Sequence, residues 1–281
     1  MKRIFVYLAV LAAALLAAQA CKQQDQKGSL VVMSYNIRNA KAADGDNDWE
    51  HRKEATTAML NAIKPDVFGI QEAYPVQEDY ILQNNPEYKG YGIGRDDGKN
   101  VGERMTVFYR HEVLKLLACG TWWLSETPDE PSFGWDARCR RTATWARLKH
   151  IATGKEFFFV NTHLDHVGVE ARRNGLALIV NKVGEMCPGA ALILTGDFNV
   201  EPGDECLNSL ESLEMLDARS TAAETEDKPS FNGFGDLPAT IIDYIYYRGF
   251  SGVEKFRVVD ETFADKPYIS DHYPIMAVLD F

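Results

Sequence analysis

The stretch ALILTGDFN, residues 191–199, places four apolar residues directly before a polar segment that contains Asp197 and Asn199. A short apolar run that ends in polar residues predicts a buried β-strand whose carboxyl end carries functional side chains. The run FFFVNTH, residues 157–163, has the same layout and ends at a histidine. Because residues 171–186 between the two runs have helical spacing, the pair predicts a strand–helix–strand unit.

The N-terminal half of the chain repeats this arrangement. The runs LVVMSYN (residues 30–36) and VFGIQE (residues 67–72) end at Asn36 and Glu72. Residues 49–63 between them again have helical spacing. The sequence therefore predicts two similar units, with polar side chains gathered at the carboxyl ends of four buried strands.

The remaining apolar segments predict a second kind of strand, paired antiparallel. A long irregular loop is expected at residues 122–135, between two of them. The expected total is an α/β sandwich of two sheets covered by helices. These further strands are predicted at residues 105–109, 113–118, 142–148, 241–246 and 275–279.

The polar residues at the strand ends form the candidate site. Taken singly, Asn36, Glu72 or Asp197 is equally typical of a turn, a loop charge or a helix cap. Taken together, they follow runs that are expected to be buried, and buried carboxylates are costly unless they are paired or hold a cation. Carboxylate and amide oxygens suit Mg²⁺, with Mn²⁺ or Ca²⁺ as alternatives, better than zinc or copper. The sequence therefore predicts a divalent-metal site.

Two further segments supply acid–base groups. Asp243 lies in Ile242-Asp243-Tyr244 on a predicted strand, and Asp271 and His272 lie in SDHYP directly before the last strand. A histidine titrates near neutral pH, and a neighbouring carboxylate fixes its tautomer and stabilises its charged form. We expect these groups to join the candidate site.

Six motifs, in this order along the chain, resemble those of the endonuclease/exonuclease/phosphatase superfamily, which has the deoxyribonuclease I-like fold. The resemblance extends from about residue 30 to residue 281, and six ordered motifs are far more specific than any one of them. The motifs are YNI (35–37), IQE (70–72), NTHL (161–164), GDFN (196–199), IDY (242–244) and SDH (270–272).

The resemblance implies a four-layer α/β/β/α sandwich of two mixed, largely antiparallel sheets, and a metal-assisted hydrolysis of phosphate esters. It assigns Asn36, Glu72 and Asp271 to the metal site, with Glu72 as the surest direct ligand. The metal expected from such oxygen donors is Mg²⁺, with Mn²⁺ or Ca²⁺ as alternatives.

The resemblance also implies catalytic roles for five residues. Asp197 and Asn199 match the pair that positions the attacking water and the scissile phosphate. Asp243 and His272 match a carboxylate–imidazole dyad, and His163 matches a second histidine close to the phosphate. Mechanisms in the family differ on whether the imidazole of the dyad or the first aspartate takes the proton of the water, and the sequence leaves both open.

Glu103 is a further catalytic candidate, in the segment GERMTVFY. In deoxyribonuclease I-like relatives a glutamate at a comparable place supports the second histidine, so the resemblance implies that Glu103 orients His163. The alternative is a solvated charge at the end of a strand. Four arginines are candidate phosphate clamps, because a guanidinium presents a planar fork to phosphate oxygens. They are Arg38, Arg140, Arg141 and Arg172.

The N-terminus predicts export. Two cations precede an apolar stretch rich in alanine and leucine that ends in small residues, which is typical of a secretory signal at residues 1–20. Cys21 directly after it suits lipoprotein processing, and residues 21–29 then form a lipid-bearing cysteine and a flexible leash before the domain at 30–281. We expect a periplasmic or outer-membrane-associated, cell-surface lipoprotein.

The formal net charge of −11 bears on the substrate. A strongly acidic protein repels polyanions at long range, so extended nucleic acid is not favoured. We expect a monomer that hydrolyses a nucleotide, a sugar phosphate or a lipid headgroup. The alternatives are a secreted scavenging nuclease and an inactive lipid-anchored binding protein; the second should have lost His163, Asp243 or His272, and all three are present.

Overall fold

A computed structural model describes residues 28–281. Over this range the chain forms two six-stranded sheets and four α-helices, with short 3₁₀ segments at Gly45–Asn47, Glu205–Leu213 and Gly233–Gly235. The strands are β1 (Ser29–Asn36), β2 (Val67–Gln71), β3 (Tyr88–Tyr91), β4 (Val107–Arg110), β5 (Leu114–Trp123), β6 (Thr142–His150), β7 (Glu156–His163), β8 (Ala191–Asp197), β9 (Leu216–Asp217), β10 (Asp243–Arg248), β11 (Gly252–Val258) and β12 (Ile275–Asp280). The helices are α1 (Trp49–Ile63), α2 (Pro75–Asn84), α3 (Val169–Met186) and α4 (Ala218–Thr221).

Each sheet has one parallel pair within an otherwise antiparallel order. The first sheet has the strand order β11-β12-β1-β2-β4-β3, and the second has the order β5-β6-β7-β8-β10-β9. β1 pairs in parallel with β2 through the α1 crossover, and β7 pairs in parallel with β8 through α3. The two predicted strand–helix–strand units are confirmed, and their four strands lie at the centre of the sandwich.

Apolar side chains form three layers of core. The layer between the sheets includes Val32, Phe159 and Ile193. A second layer packs the outer face of the first sheet against α1, and a third packs the outer face of the second sheet against α3 and the Glu205–Leu213 segment. The strands of the parallel pairs are covered on both faces, which is why they have continuous apolar runs. The predicted α/β/β/α layering is confirmed.

The loop predicted at residues 122–135 begins later in the structure. Trp122 and Trp123, which we assigned to an irregular loop, form the end of β5 and pair with Ala143 and Thr142 of β6. Both rings are buried, so the strand continues as far as its apolar side chains have a core to enter.

Five helices and strands were missed because their local pattern is weak, two of them the very short β9 and α4. α2 has a single fully buried aliphatic side chain, Ile81, and begins at Pro75, a residue suited to the first helical turn. β3 contains Gly90 and has exposed residues at its centre. β11 is formed by pairing with β12, which the sequence pattern does not reveal.

The predicted signal (1–20) and the lipidated Cys21 lie outside the described residues, as does nearly all of the leash. Within residues 28–281, no helix has the length and apolar character needed to cross a bilayer. The four cysteines in this range are free thiols.

Candidate active site

The topology brings the predicted polar residues to one edge of the sandwich. The central strands of the two sheets face each other, so the carboxyl ends of β1, β2, β7 and β8 meet there. β10 runs antiparallel to β8 and places Asp243 opposite Asp197. β12 runs antiparallel to β1, so the loop before it carries Asp271 and His272 to the same edge.

A cleft of about 440 Å³ opens at this edge. Asn36 and Asp243 do not line it but lie directly behind it, hydrogen-bonded to residues that do. The structure thus gathers all nine predicted catalytic and metal-site residues around one cavity. The seven that line it are Glu72, Glu103, His163, Asp197, Asn199, Asp271 and His272.

Asp197 is the centre of the site. Its Oδ2 accepts a hydrogen bond from Asn36 Nδ2 at 3.0 Å, and the Nε2 atoms of His163 and His272 lie 3.4 and 3.6 Å from the same oxygen. Its Oδ1 accepts the backbone N–H of Asn199. Burial, together with the charge of a second carboxylate nearby, raises the pKa of Asp197 to about 7.

His272 forms the predicted dyad with Asp243. The Nδ1 atom lies 2.8 Å from Asp243 Oδ2, and the ring of Phe231 packs edge-on against the imidazole. Burial opposes the charged imidazole, but the carboxylates of Asp243 and Asp197 outweigh it and raise the pKa of His272 to about 10. His272 is therefore an imidazolium at neutral pH.

His163, in contrast, is neutral. Burial, followed by the nearby guanidinium groups of Arg141 and Arg95, lowers its pKa well below the usual value. Its Nδ1 atom is buried and makes no hydrogen bond within residues 28–281. The expected bond from Glu103 is not made, because Glu103 Oε2 lies 2.6 Å from Arg95 NH1 instead. Glu103 lines the cleft but does not orient His163 in this structure.

Glu72 and Asp271 present carboxylates on the side of the first sheet. Glu72 Oε1 accepts from Asn36 Nδ2 at 3.1 Å, and its Oε2 accepts from the backbone and side chain of Asn39. Burial raises the pKa of a carboxyl, but for Glu72 these hydrogen bonds and the nearby cations outweigh it, so its pKa is lowered. Asp271 lies 3.5 Å from Arg38 NH1, and burial raises its pKa.

Asn36 orients the acids of the site, and its side-chain oxygen is already occupied by a hydrogen bond. Its amide nitrogen donates to Glu72 and to Asp197, while its Oδ1 accepts the backbone N–H of Arg38 at 3.0 Å. Arg38 is held in turn by Asp44, through Nε and NH2. This side of the cleft is therefore a fixed set of carboxylates with one guanidinium beside them.

The backbone adopts left-handed geometry where the chain leaves three of the strands. Arg38, Glu72 and Asn199 have φ values of 55°, 65° and 53°. Non-glycine residues adopt this geometry at a cost, and such positions concentrate at functional sites. The turns aim these side chains across the strand ends into the cleft.

Some residues of the cleft wall were not predicted from the sequence. Arg95 and Asn39 lie in loops outside the six motifs, and no periodic pattern marks them; the one signal for Arg95 is a cation within the glycine-containing loop at residues 92–102. Of the candidate clamps, Arg38 and Arg141 line the cleft. The other two do not: Arg140 pairs with Asp96, and Arg172 donates to the carbonyl of Asp165.

The ordered motifs and the geometry of the cleft agree with a family model. The model of the endonuclease/exonuclease/phosphatase family matches residues 33–272. The chain belongs to this family. Its members are phosphoesterase hydrolases, and they generally use a divalent metal.

Solved structures of relatives have the same fold over nearly the whole described range. An endonuclease/exonuclease/phosphatase from Bacteroides vulgatus is 36% identical, with a TM-score of 0.85, over 90% of this chain and 99% of its own. A mannosyl-6-phosphatase of Bacteroides thetaiotaomicron is 33% identical, with a TM-score of 0.84, over 90% of this chain and 100% of its own.

A relative found by sequence is an uncharacterized protein of Acanthamoeba polyphaga mimivirus. It is 24% identical over 83% of this chain and 92% of its own.

Proposed function

We propose that this protein is an exported, divalent-metal-dependent hydrolase of phosphate esters of small molecules, with sugar phosphates as the first class to test. The observation that carries the proposal is the arrangement around Asp197. A buried carboxylate lies between a protonated and a neutral histidine, with Glu72 and Asp271 on the neighbouring wall.

Glu72 and Asp271 are the residues that would hold the metal. Their oxygen donors, and the excess of buried carboxylates over cations on this wall, fit Mg²⁺ or Mn²⁺. Asn36 would fix the orientation of Glu72 by its hydrogen bond of 3.1 Å. A bound divalent cation supplies positive charge that stabilises the developing charge on the phosphoryl oxygens.

The other residues would position water and move protons. Asp197, whose pKa is about 7, accepts the proton of the attacking water, and Asn199 beside it orients the water and the phosphate. His272 remains protonated because of Asp243 and stabilises negative charge on the phosphoryl group. The raised pKa of His272 favours Asp197 over His272 as the general base, an alternative that the sequence left open.

The size of the cleft and the relatives support a small substrate. A volume of about 440 Å³ lies within the range of about 300–1,000 Å³ for small-molecule sites. The relative named as a mannosyl-6-phosphatase supports a sugar phosphate. The net charge of −11 argues against a long nucleic acid, so the scavenging nuclease is the second choice.

Export through residues 1–20 and lipidation at Cys21 stay part of the proposal. Labelling of growing cells with a palmitate analogue should tag the wild-type chain and leave Cys21→Ser untagged. Labelling of both chains, or of neither, would contradict the anchor without bearing on the hydrolase.

A substrate panel tests the enzyme. Purified protein is assayed with Mg²⁺, Mn²⁺, Ca²⁺ or EDTA on mannose 6-phosphate, other sugar phosphates, a nucleotide, an aryl phosphodiester, DNA, RNA and sphingomyelin. We expect metal-dependent release of phosphate from a sugar phosphate, abolished by EDTA and by Asp197→Asn. Cleavage of nucleic acid alone would favour the nuclease, and no cleavage by folded, metal-loaded protein would contradict the proposal.

A further inference from the structure

Two arginines line the cleft near His163. Arg95, from the loop after β3, and Arg141, from the segment before β6, both line the cavity that contains Asp197. Their charges are close enough to His163 to lower its pKa. Together with Arg38 beside Glu72 and Asp271, they bring three guanidinium groups to the cleft of a protein whose net charge is −11.

Arg141 is held rigidly. Its side chain is 5% exposed, its Nε donates to Asp165 Oδ2 at 3.3 Å, and its NH2 bonds to His166 Nδ1 at 2.9 Å. Because a guanidinium has only donors, His166 Nδ1 must be the acceptor, and the imidazole stays neutral. The carboxylate of Asp165 is also shared, since it accepts the backbone N–H groups of Val167 and Gly168. Arg141 is thus oriented without being fully neutralised.

Arg95 is incompletely satisfied. Its NH1 atom lies 2.6 Å from Glu103 Oε2 as an ion pair, but neither NH1 nor the buried Nε atom makes a hydrogen bond within residues 28–281. His163 Nδ1, on the same side of the cleft, is also buried without a partner. Arg104, Arg140 and Arg219 also have a buried nitrogen without a partner, but Arg95 combines this with a place in the wall of the cleft. A planar fork of N–H donors at that place matches phosphate oxygens.

A phosphate monoester and a phosphate diester differ in what they offer to this wall. A monoester has three terminal oxygens and a charge near −2 at pH 7, whereas a diester has two terminal oxygens and a single charge. In a diester the third oxygen carries a second ester group, so it has no charge. Its carbon substituent would stand between that oxygen and the guanidinium groups and leave their buried donors unpaired. Sites that are built to pair with a polar group reject a ligand that lacks it.

We propose that Arg95 and Arg141 determine specificity by binding the third oxygen and the second charge of a phosphate monoester, so that the enzyme prefers monoesters to diesters. This inference rests on the proposed phosphoesterase function and deepens it. It concerns two residues of the cleft that none of the six motifs contains.

Matched aryl esters test the preference. p-Nitrophenyl phosphate and methyl p-nitrophenyl phosphate have the same leaving group and differ by one methyl ester. We expect wild-type kcat/KM to be at least about tenfold higher for the monoester after correction for intrinsic reactivity, a factor typical of one lost charged hydrogen bond. Arg95→Gln should lower kcat/KM for the monoester about tenfold or more and change the diester less than about threefold, whereas Arg95→Lys should retain an intermediate preference.

Arg140→Gln is the control, because Arg140 is adjacent in sequence to Arg141 but does not line the cleft. It should leave both esters unchanged. Arg141→Gln also breaks the buried pair with Asp165, so Arg95→Gln is the decisive variant. Circular dichroism checks the folding of each variant. The proposal would be overturned if Arg95→Gln lowered kcat/KM equally for both esters. It would also be overturned if Arg140→Gln lowered kcat/KM for the monoester as much as Arg95→Gln does.

Binding without turnover separates this proposal from the proposed function. Isothermal titration calorimetry in the presence of metal should show inorganic phosphate binding more tightly than dimethyl phosphate, with the difference reduced in Arg95→Gln. Equal binding of the two anions by the wild-type protein would overturn the specificity role even if the enzyme hydrolyses esters. If phosphate binds preferentially but no ester in the panel is cleaved, the result supports the anion site and contradicts the proposed hydrolase function.

Discussion

The two histidines of the cleft differ in charge because, beyond the shared Asp197, each lies beside a different charged group. His163 and His272 are both buried, which lowers the pKa of each, and both approach Asp197 Oδ2. His272 also contacts the carboxylate of Asp243, so its pKa rises; His163 lies near Arg141, so its pKa falls further. Two residues of one type therefore provide one imidazolium and one neutral imidazole in the same cavity.

Asp243→Asn should lower the pKa of His272 from about 10 by about 1 to 3, because a close opposite charge is lost. The folded pKa lies above the ordinary 6.5. The stability that the pair contributes is therefore fully present below pH 6.5 and is lost as the pH rises towards 10. Histidine NMR titration of metal-free protein measures the pKa. An unchanged His272 resonance titration would refute the dyad.

His272→Ala should reduce kcat on any cleaved ester by about 10²–10⁴-fold, as expected when an acid–base or charge-stabilising group is removed. The fold should persist, because the side chain lies at the edge of the cleft and not in the apolar layers. His111→Ala, at a site outside the cleft, is the control. Wild-type turnover in folded His272→Ala would show that the imidazole takes no part in the reaction.

Glu72→Gln should weaken metal binding about tenfold or more and raise the Mg²⁺ concentration needed for half-maximal activity. The substitution keeps the size of the side chain and removes its charge, so the change reports ligation. Glu54→Gln, on the exposed face of α1, should behave as wild type. Metal titrations followed by activity measure the difference, and identical curves for all three proteins would remove Glu72 from the metal site.

At the level of elements, side-chain hydrogen bonds join the two sheets directly between β7 and β2. Asn161 of β7 donates to the carbonyl of Ile70 at 2.7 Å, and its Oδ1 accepts from Gln71 Nε2, so its amide bridges the sheets. This contact needs Gly69 in β2, because a Cβ there would lie 2.3 Å from the Asn161 side chain and 2.7 Å from Thr195 Oγ1. The glycine thereby fixes how closely the four functional strand ends approach one another.

Gly69→Ala should therefore destabilise the protein by about 1–3 kcal/mol through overpacking. Gly252→Ala is the matched control, since it also lies in a strand but its added Cβ meets nothing within 4 Å. Its effect should stay within about 0.5 kcal/mol. Urea unfolding measures both, and equal stabilities would show that the sheets can separate locally at little cost.

The whole molecule concentrates acids at one edge. Asp197, Asp243, Glu72 and Asp271 come from four segments spread over 200 residues, and burial or mutual repulsion raises the pKa of Asp197 and Asp271. Such an arrangement costs stability until a cation compensates for it. The metal-free protein should therefore be less stable than the metal-bound protein.

Mg²⁺ at a hundred times its Kd should add about 2.7 kcal/mol of stability, which follows from linkage for one site. Thermal unfolding with increasing Mg²⁺, compared with EDTA, measures the effect at pH 7. The shift should be strongly reduced in Glu72→Gln. A melting temperature that does not respond to Mg²⁺, Mn²⁺ or Ca²⁺ would contradict a metal site at this edge.

Much of the fold could be predicted from the sequence, because burial on both faces leaves a readable pattern. The four strands of the parallel pairs and both crossover helices follow from apolar runs and helical spacing. The polar residues that end these runs indicate the site, since buried acids need a partner. Elements formed by pairing alone, such as β3 and β11, have no comparable local signal and were missed.

Apolar periodicity and the order of the six motifs were enough to predict the family, the layering and the residues that converge. The pairings of the charged groups are seen only in the folded chain: Glu103 contacts Arg95 and not His163, and Arg141 is held by Asp165. The charge states of the two histidines were decided in the same way. The reason is physical, since a pairing between charged groups depends on distances of a few ångströms between segments far apart in the chain.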